Sequence, residues 1–397
     1  MLSDRARPIV KATLPVVGQH IEEIANRFYA HMFAAHPEFH DGMFNRGNQA
    51  AGSQPKALAG SVAVFASAML ADPPEIPDRL LTRIAHKHAS LGIRPDQYQI
   101  VGDHLRWAIG DALGDAVTPE VAAAWDEVYW LMAYALIRQE RGLYSARGVT
   151  PERVWRQWRV AGKVHETDDV VTFVMRRIDD RPVKTSLPGQ YVSVLVRMPD
   201  GMRQPRQYSL VRADDGEHRY LAVKRAQRGE VSNFLHDQVH VGDELTMSVP
   251  YGDVVLDDSG RPVVFASAGI GIAPMAGMIS HLVTAGSHLD VTVLHADTEE
   301  RSFPLRRQLV EDLAHLPKSN LYLWYENGAE TDLPVTAVFD GTMSLGQAEL
   351  PEDAVYCLCG PLGFLQAVRG ALIERGVAPA DIQYEMFGPD LWQADRE

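Results

Sequence analysis

The chain has 397 residues, more than one typical domain holds, and its 46% hydrophobic and 23% charged residues are an ordinary globular composition with apolar material for two or three cores. Against 52 Asp and Glu stand 38 Lys and Arg, a formal net charge of −14, so polyphosphate and anionic lipid surfaces repel the chain as a whole and nucleic acid is not an expected partner. The opening stretch MLSDRARPIVKATLPVV lacks an apolar core of signal-peptide length followed by a cleavage site, so no export is expected and the location is read as cytoplasmic.

Residues 1 to about 147 carry a helical pattern throughout. The segments IEEIANRFYAHMF, PKALAGSVAVFASAML, RLLTRIAHKHASL, PDQYQIVGDHLRWAIGDAL and PEVAAAWDEVYWLMAYALIRQERGLY each place apolar residues three and four apart. Pro95 and Pro119 fall at first helical turns, and Pro37, Pro73, Pro74 and Pro77 fall in the joints. From 148 to 258 the texture changes to short β-branched and aromatic runs bounded by turn residues, among them RQWRVAGKVHETDDVVTFVMRR, GQYVSVLVRM, RQYSLVR, RYLAVKRA and DELTMSV. This predicts an antiparallel β domain, a small barrel. From 259 to 397, strands such as RPVVFASA, DVTVLHA, NLYLWYE and AVYCLCG alternate with helical segments, the signature of a parallel sheet with helices on both faces. The uncharged stretch VVFASAGIGIAPMAGMIS, 263 to 280, is read as a buried strand, a glycine turn and a new helix, so no stable membrane insertion is expected. The chain's two cysteines, Cys357 and Cys359, are expected on opposite faces of one strand, giving neither a disulfide framework nor a thiolate metal site.

Two histidines in RIAHKHASLGI, 83 to 93, raise the first chemical question. Leu81, Ile84, His88 and Leu91 form one stripe of the helix, whereas His86 shares a solvated sector with Arg79, Arg83 and Ser90. In the next helix Tyr98 aligns with Val101, Leu105 and Ile109. In the last helix Glu140 lies on the buried line of Trp125, Tyr129, Met132 and Leu136. A buried carboxylate needs a partner, and an imidazole N–H given to Glu140 satisfies both groups while the other ring nitrogen stays available to a metal. His31, His36, His40 and His104 are read as ordinary packing or surface residues, and no methionine stands out as an axial ligand.

With these residues the chain resembles the flavohaemoglobins, nitric oxide dioxygenases in which a globin is fused to a ferredoxin-reductase-like flavin and nicotinamide module. The likeness is carried by RFYAHMF, GMFNRGNQ, SQPKAL, KHASLGIRPDQYQIVGDHL and AWDEVYWL in the family's order, and it extends over nearly the entire chain. It implies an all-α globin, an antiparallel FAD-binding barrel and an α/β NAD(P)H-binding domain. By resemblance His88 is the haem ligand with Tyr98 and Glu140 as its partners, Tyr29 the distal tyrosine, Phe44 a ring-packing residue, and Gln54 and Leu58 further pocket residues; Lys87 matches a position facing the flavin. The chemistry agrees with the transfer, because a histidine donating to a carboxylate gains imidazolate character and enriches the iron in electron density. A distal phenol stabilises bound O2 by hydrogen bonding.

In RQYSL, regular alternation puts Arg206 and Tyr208 on one face of a strand and Gln207 and Ser209 on the other. The resemblance implies that this motif binds FAD, Arg206 at its phosphate, Tyr208 on its ring and Ser209 near its reactive nitrogen. In RGEVSNFLH, the residues Gly229, Val231, Ser232 and Asn233 stand at a helix start where backbone N–H groups hold a pyrophosphate, and Tyr191 and Lys224 are further family matches. In VVFASAGIGIAPM, Gly269, Ile270, Gly271, Ile272, Ala273 and Pro274 form a turn and helix start, the two glycines letting backbone approach a ligand. Ala273 stands where the family usually has threonine. Cys359, Gly360 and Pro361 match the nicotinamide-facing turn, and Glu385, Met386, Phe387, Gly388 and Pro389 match the closing segment beside the flavin. In HADTEERSF, Asp297 suits a free 2′-hydroxyl, whereas Arg301 or Ser302 suits a 2′-phosphate, which leaves the coenzyme as NADH or NADPH.

The expected activity is passage of electrons from NAD(P)H through FAD to haem b iron, with O2 and NO as small-molecule partners and nitrate as product. A monomer is expected. Two rival readings are an O2 or NO sensor or carrier with a maintenance reductase, and a flavin-dependent reductase of peroxides or ferric chelates.

Overall fold

A computed structural model describes residues 1–50, 52–182, 184–256 and 259–388. Its contacts divide the chain into two units, Met1–Trp155 with the Leu195–Pro205 segment, and Arg156–Val194 with Arg206–Phe387.

The first unit is helical. Helix α1 (Ala6–Ala35) is followed by a short turn of 3-10 helix at Pro37–His40, then by α2 (Arg46–Ala50), α3 (Ser53–Leu70), α4 (Asp78–Leu91), α5 (Pro95–Leu113) and α6 (Pro119–Arg147). Pro95 and Pro119 open α5 and α6, where a missing N–H is harmless, and Thr118 caps α6 by accepting from the Val121 N–H at 3.3 Å. The α1 helix begins well before the quoted stripe and runs through Pro15, which is solvent-exposed. Val10, Ile24, Phe28, Met32, Phe65, Leu81, Trp125 and Val128 fill the core. This is the interdigitation that the three-and-four spacing anticipates.

The antiparallel sheet comprises β1 (Trp155–His165), β2 (Val170–Arg177), β3 (Tyr191–Arg197), β4 (Arg203–Ser209), β5 (His218–Lys224) and β6 (Glu244–Ser248), with helix α7 (Glu230–Gln238) between the last two. The order is β4-β3-β6-β1-β2-β5, and an antiparallel bridge from Leu210 to Leu221 brings the two ends together. Joining the ends closes the sheet into a barrel and removes its edges. Inside it, the Arg219 guanidinium lies 4.5 Å from the Trp158 ring centre and pairs with Asp214, both side chains fully buried.

The parallel sheet follows: β7 (Val263–Ala268), α8 (Ile272–Thr284), β8 (Val291–Asp297), α9 (Arg306–Ala314), β9 (Ser319–Tyr325), β10 (Ala337–Asp340), β11 (Val355–Cys359), α10 (Leu362–Glu374) and β12 (Ile382–Glu385). Its order is β10-β9-β8-β7-β11-β12. The four-residue strands β10 and β12 lie at its edges and leave little periodicity to read. Cys357 and Cys359 overturn the opposite-face expectation: both pack into one core cluster with Val263 and Phe265. Residues two apart on a strand share a face. Both are buried and neither is in a disulfide, since side chains on one face of a strand point the same way rather than toward each other. Among the described residues no helix is long and apolar enough to cross a membrane; the uncharged 263–280 stretch is β7, a 3-10 turn and the start of α8.

Candidate functional site

His88 occupies the last turn of α4 and turns its ring toward α5 and α6. Its Nδ1 is 2.9 Å from Glu140 Oε1 and 3.0 Å from the Tyr98 hydroxyl, which itself donates to the same Oε1 at 2.5 Å. Glu140 is only 2% exposed, so its charge is stabilised by these two donors. Facing a carboxylate, Nδ1 carries the imidazole proton and Nε2 is left as a lone-pair donor. No hydrogen bond to Nε2 is found among the described residues, and the His88 side chain is 33% exposed. Burial and then the Glu140 charge push the Tyr98 phenol far above its ordinary range, so it stays a donor.

Two supports escaped sequence reasoning. Tyr129 donates to the Tyr98 carbonyl and Tyr144 donates to the Ile93 carbonyl at 2.8 Å, tying α6 to the segment that carries His88 and Tyr98. Tyr129 reaches its place because Gly102 makes room: a Cβ there would lie 2.6 Å from the Tyr129 ring. Only the position of Tyr129 on a buried stripe hinted at this.

The sector assigned to His86 is not the solvated one expected. His86 is half-buried, and Ser90 is fully buried, its hydroxyl donating to the Lys87 carbonyl at 2.7 Å. That bond caps the helix end from within and lets a polar residue sit in apolar surroundings. Lys87 is half-buried beside His88.

Tyr29 lies on α1 with Phe33 stacked at 5.7 Å and Phe44 edge-on at 5.9 Å between ring centres. Burial raises its phenol pKa and a hydrogen bond with the Gln54 side chain opposes that rise. The structure thus brings Tyr29, Phe44 and Gln54 together. Leu58 packs against the same core and, with Ile21, Val62, Trp125 and Met132, lines an apolar cavity of about 40 Å³.

In the second unit, Arg206, Gln207 and Tyr208 are half-buried and Ser209 is buried on β4, where Gln207 Nε2 donates to Ser193 Oγ at 2.8 Å. Tyr191 is buried at the start of β3, and Lys224 pairs with Asp169 at 3.4 Å. Gly229 is the N-cap of α7, and Val231 stands in its first turn. The side chains of Ser232 and Asn233 brace this turn: Ser232 Oγ accepts from the Ala226 N–H, and Asn233 Nδ2 donates to the Ala226 and Gly229 carbonyls. What the α7 terminus offers an anion is therefore backbone N–H. Arg225, held by Asp237 and Asn233, braces the same turn and carried no signal in the sequence.

On the parallel sheet, β7 and β11 are neighbours whose C-terminal ends carry the Gly269–Pro274 and Cys359–Pro361 segments. The chain steps outward from β7 through β8, β9 and β10 on one side and returns to β11 on the other, so the strand order reverses there, a crevice position for ligands in open α/β sheets. Gly269 has open space around it, as a ligand-facing turn needs. Gly271 does not: its missing Cβ would lie 2.1 Å from the Cys359 carbonyl oxygen, so it lets the two turns pack rather than opening backbone to a ligand. Ile270 is half-buried, Ile272, Ala273 and Pro274 are buried, and Gly360 and Pro361 lead into α10. Glu385 is aligned with Cys359 across β12 and β11; burial and then the Glu385 charge raise that thiol's pKa. Met386 is half-buried, Phe387 and Gly388 are exposed, and Pro389 lies outside the described residues.

A globin family model matches residues 26–136, and one described as an oxidoreductase FAD-binding domain matches 157–255. The chain is 38% identical to a flavohemoprotein of Rhizobium meliloti over 99% of this chain and 100% of that one. It is 41% identical to a flavohemoprotein of Deinococcus radiodurans over 98% of each. The crystal structure of a flavohemoglobin from Malassezia yamatoensis, with bound FAD and heme, matches at TM-score 0.91 and 37% identity over 98% of this chain and 100% of that one. The FAD/NAD-binding domain of a nitric oxide dioxygenase from Vibrio cholerae matches at TM-score 0.55 and 34% identity, over 59% of this chain and 99% of that one.

Proposed function

The chain belongs to the flavohaemoprotein family, and from that membership we propose that it passes electrons from NAD(P)H through FAD to haem iron and dioxygenates nitric oxide to nitrate with O2. The proposed division is a haem domain at 1–147, an FAD domain at 148–258 and a nicotinamide domain at 259–397. When bound, FAD accepts a hydride and releases its electrons singly, and haem supplies an iron that binds O2.

The observation that carries this reading is the His88–Glu140–Tyr98 arrangement. A histidine whose Nδ1 is committed to a buried carboxylate and whose Nε2 has no hydrogen-bond partner among the described residues fits the donor set for haem iron. His88 would hold the iron through Nε2. Glu140 keeps the proton on Nδ1 and so leaves the Nε2 lone pair for the metal, and Tyr98 fixes the carboxylate. Such a ligand serves O2 activation better than reversible carriage. The Tyr29 hydroxyl would be the hydrogen-bond donor toward O2, with Gln54 orienting it and Phe44 packing edge-on against its ring, and Leu58 would add apolar lining nearby. The turn at Gly229 and the strand at Arg206–Ser209 would hold FAD, and the Gly269 turn would hold the coenzyme.

Purified full-length protein should show haem and flavin absorption together, and should convert NO to nitrate with NADH and O2. His88→Ala should abolish nitrate formation while NADH oxidation by an artificial acceptor persists. Failure to retain haem after haem supplementation would overturn the reading.

A further inference from the structure

One buried titratable group has no part in the electron path above. His295 on β8 is fully buried and stacks on Phe303 at 4.0 Å between ring centres. Its Nδ1 is 2.9 Å from Ser267 Oγ on β7, and its Nε2 is 3.6 Å from Asp297 Oδ2. Among the described residues neither Nε2 nor Oδ2 has a hydrogen-bond partner, and the two face each other. A bare ring nitrogen facing a carboxylate would repel it. The consistent proton arrangement has Ser267 donating to Nδ1 and Nε2–H facing Asp297. Ser267, His295 and Asp297 have the composition of a nucleophilic triad, but Ser267 is fully buried and no substrate reaches it.

Asp297 ends β8, next to the β7 end that leads into the Gly269 turn. Its side chain is 9% exposed, and Oδ1 accepts from Ser302 Oγ at 2.6 Å and from the Thr298 N–H at 2.8 Å. Burial works against its charge, but the imidazole of His295 facing Oδ2 and the Ser302 hydrogen bond to Oδ1 hold its carboxyl below the ordinary range. The Ser302 hydroxyl also accepts from the Glu299 N–H at 3.1 Å, so its proton and lone pairs are engaged within the turn. Arg301 pairs with Glu299 at 2.6 Å, though it is 80% exposed and that pair is weak. The hydroxyl suited to a phosphate is thus turned to a carboxylate, and that fixed carboxylate stands at the strand end.

We propose that His295 is a positioning residue for coenzyme selection: with Ser302 it fixes the Asp297 carboxylate so that the site takes an adenosine ribose with a free 2′-hydroxyl and rejects one carrying a 2′-phosphate. This rests on the nicotinamide reading of the Gly269 turn. A carboxylate accepts from the 2′-hydroxyl and repels the phosphate dianion, so one group supplies both attraction and exclusion.

The test uses the full chain loaded with FAD and haem, with NAD⁺, NADP⁺ and 2′,5′-ADP titrated by calorimetry so that no turnover is involved. Wild type should bind NAD⁺ at least about tenfold more tightly than NADP⁺, the scale of a hydrogen bond to a charged group. His295→Leu should shrink that ratio several-fold, and His295→Gln, which keeps an N–H toward Oδ2, should restore most of it. Asp297→Ser should create measurable 2′,5′-ADP binding. If His295→Leu fails to fold, Ser302→Ala reads the same ratio through Oδ1. An unchanged ratio in His295→Leu, or parallel weakening of both coenzymes, would overturn the positioning role, as would equal affinity in wild type. If wild type binds neither coenzyme, the nicotinamide reading itself fails.

Discussion

Tyr98 and His88 meet the same oxygen of Glu140, the phenol donating at 2.5 Å and the imidazole Nδ1 lying 2.9 Å away. Sharing one acceptor makes the three side chains a single unit: the carboxylate cannot rotate toward either donor without weakening the other. The expected consequences differ for each member.

Glu140→Gln preserves shape but removes the carboxylate charge that faces His88 Nδ1. The iron–histidine stretching frequency should fall, the haem reduction potential should rise, and the NO dioxygenase rate should drop about 10- to 100-fold, the usual effect of losing such a support. Resonance Raman spectroscopy and nitrate production check these together. An unaltered stretching frequency would show that the carboxylate does not tune the ligand.

Tyr98→Phe removes one donor from a buried carboxylate and leaves the imidazole in place. The protein should lose about 1–3 kcal/mol of stability, the penalty for an under-satisfied buried polar group, while keeping haem. Urea unfolding followed at the haem absorption band measures the loss.

Tyr29→Phe keeps the ring contacts with Phe33 and Phe44 and deletes only the hydroxyl. O2 should dissociate from the ferrous protein about 10- to 100-fold faster by stopped-flow spectroscopy, as expected for loss of a preorganised donor. Thermal stability should change little.

Asp214→Ala removes the carboxylate that pairs with the buried Arg219 guanidinium and that accepts from the Ser186 and Gly216 N–H groups. Breaking one side of a buried ion pair is strongly destabilising, with an expected loss of about 3–5 kcal/mol. The flavin domain should unfold at a lower denaturant midpoint, followed by flavin release.

Stability should fall with pH below the ordinary imidazole range. Burial, the largest cause in each case, holds His104, His236, His281 and His295 below their ordinary pKa. The unfolded chain therefore takes up protons near pH 6.5 that the folded chain refuses, so this stability is present above about pH 6.5 and is lost progressively below it. The Asp41 carboxyl, lowered chiefly by its hydrogen bond with Arg203, behaves in the same direction at more acid pH, its contribution disappearing below about pH 4. Urea midpoints measured from pH 7.5 downward should decline, and a flat profile between pH 7 and 5.5 would contradict the histidine assignment.

Helix positions were legible because their causes are local. Pro95 and Pro119 start helices, and the apolar stripes of Leu81 with Ile84 and of Trp125 with Met132 decide which face turns inward. That reasoning put His88, Tyr98 and Glu140 on buried faces. It failed for Ser90, whose hydroxyl is satisfied by a carbonyl of its own helix, and for the short edge strands β10 and β12, where four residues hold too little periodicity. Gly271 also misled, since a glycine that admits a ligand and one that admits another turn have the same residue type.

By itself the sequence determined the order of helical, antiparallel and parallel segments, the residues that face each core, and the motifs that mark the family, because periodicity and backbone sterics act over a few residues. The meeting of His88 with Glu140 across 52 residues, and of Tyr98 with Glu140 across 42, was decided only when the helices packed. So was the meeting of His295 with Ser267 across the neighbouring strands β8 and β7. Burial makes a polar group's partner obligatory, but which partner satisfies it depends on how whole elements stack, and that information is spread over the entire core.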